Sequence, residues 1–261
     1  MEVRIERLDG ADAGIVLLGL DRPYAKNALG RQLLAEFRAA VRELGSDPGV
    51  RVVVVHSLVP GAFCAGADLK ERAGMSSAEA ATFVQGIRAA FTELEALPMP
   101  VIATVEGAAF GGGLELALAA DLRVAGADAK MGLVETALAI IPGGGGTQRL
   151  PRLIGISRAK ELIFTARRIE GEAARQLGLV DHVVPAGEAL AATLALAREI
   201  LPNGPIALRL AKRAVSQGME LDLAAGLALE EACYAQVIPT KDRLEGLAAF
   251  REKRKPQYRG E

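Results

Sequence analysis

An α/β layered fold is what the sequence predicts, and three observations predict it. Continuous apolar runs of β-branched residues, "VRVVVVHS" at 50–57 and "PVIATVEG" at 100–107, read as strands covered on both faces. Segments with helical spacing alternate with these strands, the pattern of a sheet layered with helices. After about residue 186 the strands give way to four helical segments in succession.

Taken in order, residues 2–20 read as two strands joined near Asp9–Gly14. Residues 29–45 have helical spacing, with Leu33, Leu34, Phe37 and Val41 on one face, and Gly45 and Pro48 mark the stop. The strand "VRVVVVHS" runs into a Gly/Ala-rich loop at 60–68, and a helix is expected from about Ser77 to Leu97. The second buried strand leads into "FGGGLELALAAD" at 110–121, three glycines opening a short helix with Glu115 in its first turn. "DLRVAGADAKMGLVE" reads as two short strands, with Glu135 ending the second, and "IPGGGGTQRL" as a glycine loop entering a helix. The closing segments "GEALAATLALAREIL", "GPIALRLAKRAVSQG", "LDLAAGLALEEACYAQVI" and "TKDRLEGLAAFREKR" carry wide apolar stripes. Such stripes need cover, from the chain's own core or from a neighbouring subunit. No internal repeat is visible.

The totals bound the function. A chain of 261 residues supports one large domain and a smaller appendage. No stretch approaches the ~20 apolar residues of a membrane helix. The start, "MEVRIERLDG", reads as a strand and not as a targeting segment, so a cytoplasmic setting is expected, with a trimmed organellar precursor as the alternative. A formal net charge of −1 offers no general attraction for nucleic acid. The one basic cluster, "REKRKPQYR" at 251–259, reads on composition as a solvated tail. Two distant cysteines, Cys64 and Cys233, make neither a disulfide framework nor a zinc pattern and read as small buried hydrophobes.

The chemistry concentrates in loops. "GGGGTQRL" lacks the lysine of a phosphate-binding loop, and "GGGLE" lacks the third glycine of a dinucleotide fingerprint. A strand, a tight glycine turn and a helix start nevertheless leave backbone N–H groups free for an oxyanion. "GAFCAGADLKER" offers a second loop of this kind, with the Ala67 N–H just ahead of "DLKER". On spacing alone, two ordinary tight loops are the slightly favoured reading. Glu115 taken alone would only complement a helix dipole, worth roughly 0.3–1 kcal/mol, and Glu135 taken alone could be a loop carboxylate facing water. Together in apolar surroundings, two such acids would have raised, coupled pKa values, one protonated while the other is ionised. His56 and His182 are isolated and supply no metal site, and no GxSxG elbow is present.

"FCAGADLKE", "GAAFGGGLELALAADLRVA", "MGLVETALAIIPGGGGTQRLPR" and "AKELIFTARRIEGEAARQLGLVDHVV" resemble the enoyl-CoA hydratase (crotonase) family over nearly the whole chain. "CAGADLKERAGMS" and "EEACYAQVIPTKDRLEGLAAFREKR" are closest to the branch that hydrates methylglutaconyl-CoA, an enzyme of leucine degradation. The resemblance implies a spiral of ββα units over residues 1–200 and a C-terminal helical oligomerisation region at 201–261. It implies a homotrimer, or a hexamer of two trimers. Glu115 and Glu135 match the two catalytic glutamates, and Ala67 and Gly112 the two N–H donors to the thioester oxygen. Gly143 falls at a backbone contact near the catalytic water. Ala65, Asp68, Leu69 and Lys70 match the segment lining the coenzyme A site, with Ala25 and Lys26 in the segment that touches its nucleotide part. Lys253 falls where relatives offer a cation to a coenzyme A phosphate. No cofactor or metal is expected, coenzyme A being part of the substrate.

The resemblance thus implies a hydro-lyase acting on a 2-enoyl-CoA, with 3-methylglutaconyl-CoA as the expected substrate and a general short-chain enoyl-CoA hydratase of fatty acid oxidation as the alternative. A substrate's distal carboxylate calls for a cation, and Lys70 and Arg72 are the candidates, with solvation or coenzyme A binding as equal readings of both. Two further alternatives come from other classes of function. Some relatives are linked to RNA, but here Arg31, Arg38 and Arg42 are interrupted by Glu36, Glu43 and alanines, against the basic stripe RNA requires. A catalytically silent structural oligomer would have no use for both carboxylates and both loops.

Overall fold

The computed structural model describes residues 1–261. In chain order the elements are β1 (Val3–Arg7), β2 (Ile15–Leu20), α1 (Arg31–Ser46), β3 (Val52–Ser57), β4 (Ala62–Cys64), α2 (Leu69–Ala73), α3 (Ser77–Glu95), β5 (Val101–Val105), β6 (Ala108–Phe110), α4 (Gly112–Leu118), β7 (Leu122–Gly126), β8 (Lys130–Gly132), α5 (Gly146–Ile154), α6 (Ile156–Phe164), β9 (Ile169–Glu170), α7 (Gly171–Leu177), β10 (His182–Val184), α8 (Ala189–Ile200), α9 (Pro205–Gly218), α10 (Leu223–Val237) and α11 (Lys241–Glu252).

The strands divide between two sheets. The larger has the order β1-β2-β3-β5-β7-β10 and the smaller β4-β6-β8-β9. Within the larger sheet only the β1–β2 pair is antiparallel; in the smaller, only β8–β9. Three successive units therefore repeat one path. A first strand (β3, β5, β7) lies in the large sheet, a second (β4, β6, β8) in the small one, and helical structure follows before the chain returns. This is the ββα spiral. It leaves no sequence period because the helical parts differ, from the 19 residues of α3 to the 7 of α4.

The continuous apolar run of β3 is explained by its two covered faces. Val53 and Val55 point into the main core between the sheets and helices, while Val52 and Val54 pack under α8 with Ile15, Ile102 and Val124. α1 buries Leu33, Leu34, Phe37 and Val41, the face its spacing predicts, together with Ala40 and Leu44. Its arginines are spent inside the molecule: Arg31 pairs with Glu71 and Glu79, and Arg38 and Arg42 share Glu93. They form no open basic stripe.

Beyond α8, the Lys212 ammonium on α9 ties the C-terminal region to the core, bonding the Met99 carbonyl at 3.0 Å and the Asp121 carboxylate at 2.7 Å. α9 and α10 pack on each other, and α9–α11 leave Met219, Leu223, Leu244, Leu247 and Phe250 exposed. The basic tail is not a free solvated strand. Arg254 pairs with Glu245 and Glu252, and the Asp242 carboxylate accepts the Arg259 and Gly260 N–H groups at 2.7 and 2.8 Å, so the tail folds back on α11. No helix is long and apolar enough to cross a membrane.

Candidate active site

Gly66 and Gly111 bring two loops of the small sheet into contact. Each has a positive φ, +91° and +50°, and a Cβ on Gly66 would stand 2.6 Å from the Phe110 carbonyl oxygen. Only a bare backbone fits so close an approach. The loop after β4 is pinned from its other side by residues 26–29. The Ala65 N–H donates to the Lys26 carbonyl at 3.1 Å, the Leu29 N–H to Gly66 at 2.7 Å, and the Asp68 N–H to Leu29 at 3.1 Å. Leu29 and Ala67 thus form a single parallel bridge. In such a bridge the bonds on the Leu29 side come from the neighbours of Ala67, so its own N–H points the opposite way. That N–H has no acceptor in the protein and faces a cavity of about 120 Å³. Gly112 begins α4, where an N–H has no partner within the helix. It lines the same cavity.

Asn27 anchors this arrangement from below. It is fully buried at φ +56°, a conformation asparagine tolerates better than most residues. Its amide donates to the Ser57 hydroxyl at 2.8 Å and the Phe63 carbonyl at 3.0 Å, and its side-chain oxygen accepts the Arg22 N–H at 2.8 Å. Sequence reading passed over it within "DRPYAKNAL"; the signal was an asparagine in a turn a few residues after proline.

The two glutamates converge on this cavity from different elements. Glu115, buried on α4, accepts the Gly144 and Gly146 N–H groups at 2.8 and 2.7 Å, both on Oε1. Gly145 between them turns at φ +116°. Arginines brace this loop from outside: Arg88 donates to the Gly143 carbonyl and Arg149 to the Gly144 carbonyl, each at 3.0 Å. A side chain on Gly144 would come within 2.7 Å of Glu115 Oε2. Burial pushes the Glu115 pKa up, while the two N–H bonds and the nearby arginines oppose that shift and favour the carboxylate.

Glu135 does not end a strand. β8 stops at Gly132, and Glu135 opens a single 3-10 turn, Glu135–Leu138. The Thr136 hydroxyl anchors that turn to the Ile163 carbonyl at 2.5 Å. The turn aims the carboxyl at Gly111, where a Cβ would stand 2.9 Å from Oε1. Its Oε2 is buried without a partner. Burial first, and the Glu115 charge second, push its pKa up to about 7. One acid is therefore held by N–H donors and the other by little but apolar walls. Their environments separate the two protonation states.

The remaining expected residues divide. Ala65, Leu69 and Gly143 line the cavity. Asp68 does not: its carboxylate pairs with Arg22 at 2.8 Å and caps α2, accepting the Lys70 and Glu71 N–H groups. The Lys70 side chain is exposed on α2, outside the lining. Ala25 and Lys26 sit in the pinning segment; Lys26 contributes its carbonyl, and its exposed side chain lies outside the lining. Lys253 caps the end of α11 in a left-handed conformation and does not border the cavity of its own chain. Gly144 and Gly146, whose N–H groups Glu115 accepts, are not singled out by the sequence, because four consecutive glycines give no phase. Arg72, by contrast, is in the lining.

Wider depressions exist elsewhere. One, around Leu118, Lys212 and Val215, has Lys212 paired with Asp121; another, around Asp242 and Arg254, has Arg254 paired with Glu245 and the Asp242 carboxylate taken by two backbone N–H groups. Neither sets two acids beside a free amide. Cys64 is inert packing, its thiol pushed up to about 12 by burial and bonded to the Asn27 carbonyl at 3.0 Å. His56 is buried in β3 and His182 exposed in β10, neither of them in the cavity lining.

Comparison with known proteins places the chain among relatives. A family model described as enoyl-CoA hydratase/isomerase matches residues 10–261. The chain is 59% identical to the human protein named methylglutaconyl-CoA hydratase, mitochondrial, covering 100% of this chain and 78% of that protein. It is 53% identical to the Arabidopsis thaliana protein named probable enoyl-CoA hydratase 2, mitochondrial, covering 99% of this chain and 86% of that one. A crystal structure of an enoyl-CoA hydratase from Bacillus anthracis superimposes with a TM-score of 0.96 at 49% identity, covering all of both chains.

Proposed function

The chain belongs to the enoyl-CoA hydratase/isomerase family, and from that premise we propose that this hydro-lyase adds water to 3-methylglutaconyl-CoA, with Glu115 and Glu135 as its catalytic pair. The observation that carries the reading is the convergence of two carboxyl groups, one held by N–H donors and one unpartnered, on a cavity that also receives the free Ala67 N–H.

In this reading the thioester carbonyl lies against the Ala67 and Gly112 N–H groups. Water attacks C3 while the ionised Glu115 takes one of its protons. The C2=C3 electrons move toward the thioester, and the charge that gathers on its oxygen is met by the two amides. Loss of one such donor typically costs about 2.7–4 kcal/mol of barrier. Protonated Glu135 then delivers its proton to C2. The product is the 3-hydroxy thioester, one water heavier, and proton exchange restores the pair. No further reactant is required.

The name of the human relative supports the branched, carboxylated substrate, and so does a cation, Arg72, in the cavity wall. A general short-chain enoyl-CoA hydratase is the second reading. The apolar wall of Val84, Ile87, Val134 and Leu138 favours it, as does the name of the Arabidopsis relative. For compartment, the names of the human and Arabidopsis relatives, both mitochondrial, favour a mitochondrial setting over a cytoplasmic one. Initial rates followed by loss of enoyl-thioester absorbance decide between the substrates. The proposal expects a higher kcat/KM for 3-methylglutaconyl-CoA than for crotonyl-CoA. A preference for crotonyl-CoA would transfer the conclusion to the second reading.

A further inference from the structure

Arg72 stands on α2, five residues after the Ala67 donor, and is half-buried in the wall of the catalytic cavity. It is the only Lys or Arg among the lining residues. Two arginines of the neighbouring segments are committed, Arg22 to Glu2 and Asp68 and Arg31 to Glu71 and Glu79, Arg88 donates to the Gly143 carbonyl, and the exposed Lys70 side chain lies outside the lining. The Arg72 guanidinium makes no ion pair; even Glu71, its neighbour in sequence, is taken by Arg31. A guanidinium beside two glutamates, with apolar residues opposite, is a binding site for a carboxylate.

The chemistry of the substrate fixes where that carboxylate must fall. In a glutaconyl thioester the distal carboxyl carbon is two bonds from C3, so it lies about 2.5 Å from the carbon that receives water. A cation serving it must border the two glutamates. Without one, a third carboxylate would enter a space already holding two, and the repulsion would raise all three pKa values and weaken binding. Arg72 already acts on this space, its charge opposing the rise of the Glu135 pKa.

We propose that Arg72 is the specificity residue of this enzyme, receiving the distal carboxylate of a 2-enoyl-CoA that bears one carbon between that carboxylate and C3. The proposal rests on the substrate reading above and deepens it. Thioesters with an alkyl end gain nothing from Arg72, and the carboxylated substrate gains a charge-assisted, two-pronged contact.

The test is the ratio of kcat/KM for 3-methylglutaconyl-CoA to that for crotonyl-CoA, measured in wild type, Arg72→Met and Arg72→Lys, with circular dichroism to verify folding. Arg72→Met is expected to lower the ratio roughly 10- to 100-fold, the range for one charged hydrogen-bonded contact. Arg72→Lys is expected to recover part of it, keeping the charge but losing the fork. Equal losses on both substrates would overturn the proposal and assign Arg72 to the coenzyme A phosphates or to the loop. An unchanged ratio would overturn it as well. A wild type that hydrates crotonyl-CoA but leaves 3-methylglutaconyl-CoA untouched would instead end the substrate reading itself.

Discussion

Glu115 and Glu135 are the same side chain in two settings, and the settings decide what each can do. Two N–H bonds favour the ionised form of Glu115, while burial and its partner's charge raise Glu135 to about 7. The hydration reading needs the first without a proton and the second with one. The kcat/KM profile is therefore expected to fall on the alkaline side with a midpoint near 7, as Glu135 ionises in the free enzyme. Linkage adds a stability consequence. Glu135 binds its proton more tightly folded than unfolded, so between its ordinary value of 4.5 and about 7 the folded chain holds more protons and loses stability as pH rises. Glu135→Gln cannot ionise; its melting temperature should exceed that of wild type at about pH 8, with the gap closing as pH falls from about 7 to the ordinary value of 4.5. A Tm difference independent of pH would contradict the assignment. The residue types were legible because carboxylates in apolar surroundings are rare. The orphaned Oε2 of Glu135 and the N–H pair on Glu115 were not: the first is set by tertiary burial, and the second comes from a loop 29 to 31 residues away.

At the scale of elements, the site is held by short pieces that carry little pattern of their own. The helices α1, α3 and α8–α11 were readable from apolar spacing, and β3 and β5 from their β-branched runs. β4, β6 and β9 were not: two or three residues are too few for a period, and their pairing with strands of other units sets them. Their importance lies in what they bring close. A Cβ on Gly113 would stand 2.1 Å from the Cys64 carbonyl oxygen and 2.8 Å from its carbon, both backbone atoms. α4 can then approach β4 only with glycine at that position. Gly113→Ala should destabilise the fold by about 3 kcal/mol, the upper end for overpacking, read as a lowered denaturation midpoint with an unchanged m-value. A midpoint within error of wild type would show that α4 can shift without cost. Within the run at 111–113, Gly113 thus serves close contact between elements of this chain, while Gly112 opens onto the cavity.

For the whole molecule, the spiral leaves the C-terminal helices with more apolar surface than a single chain covers. Phe250 is 87% exposed, and Leu223, Leu227, Leu244 and Leu247 are also open on α10 and α11. Leu138 and Ile141, on the far wall of the catalytic cavity, are exposed too. We propose that these faces are covered by further copies of the chain in a trimer or a pair of trimers. Light scattering on the purified protein should give the mass of three or six chains, and a single-chain mass that persists at high concentration would contradict this. The helical character of the last quarter of the chain was legible. Its docking on the core through Lys212 and Asp121 was not, because a lysine and an aspartate 91 residues apart leave no local trace.

The central claim is that Glu115 and Glu135 act on one water beside the same pair of amides, and a double-mutant cycle tests it most directly. Initial hydration rates would be measured for wild type, Glu115→Gln, Glu135→Gln and the double variant, each shown to bind coenzyme A. The account predicts a loss of about 10²–10⁴-fold in each single variant, the range for one acid or base. It predicts little further loss in the double variant, as for groups that act as a unit. Losses that multiply, or a single variant that keeps most of its rate, would contradict it.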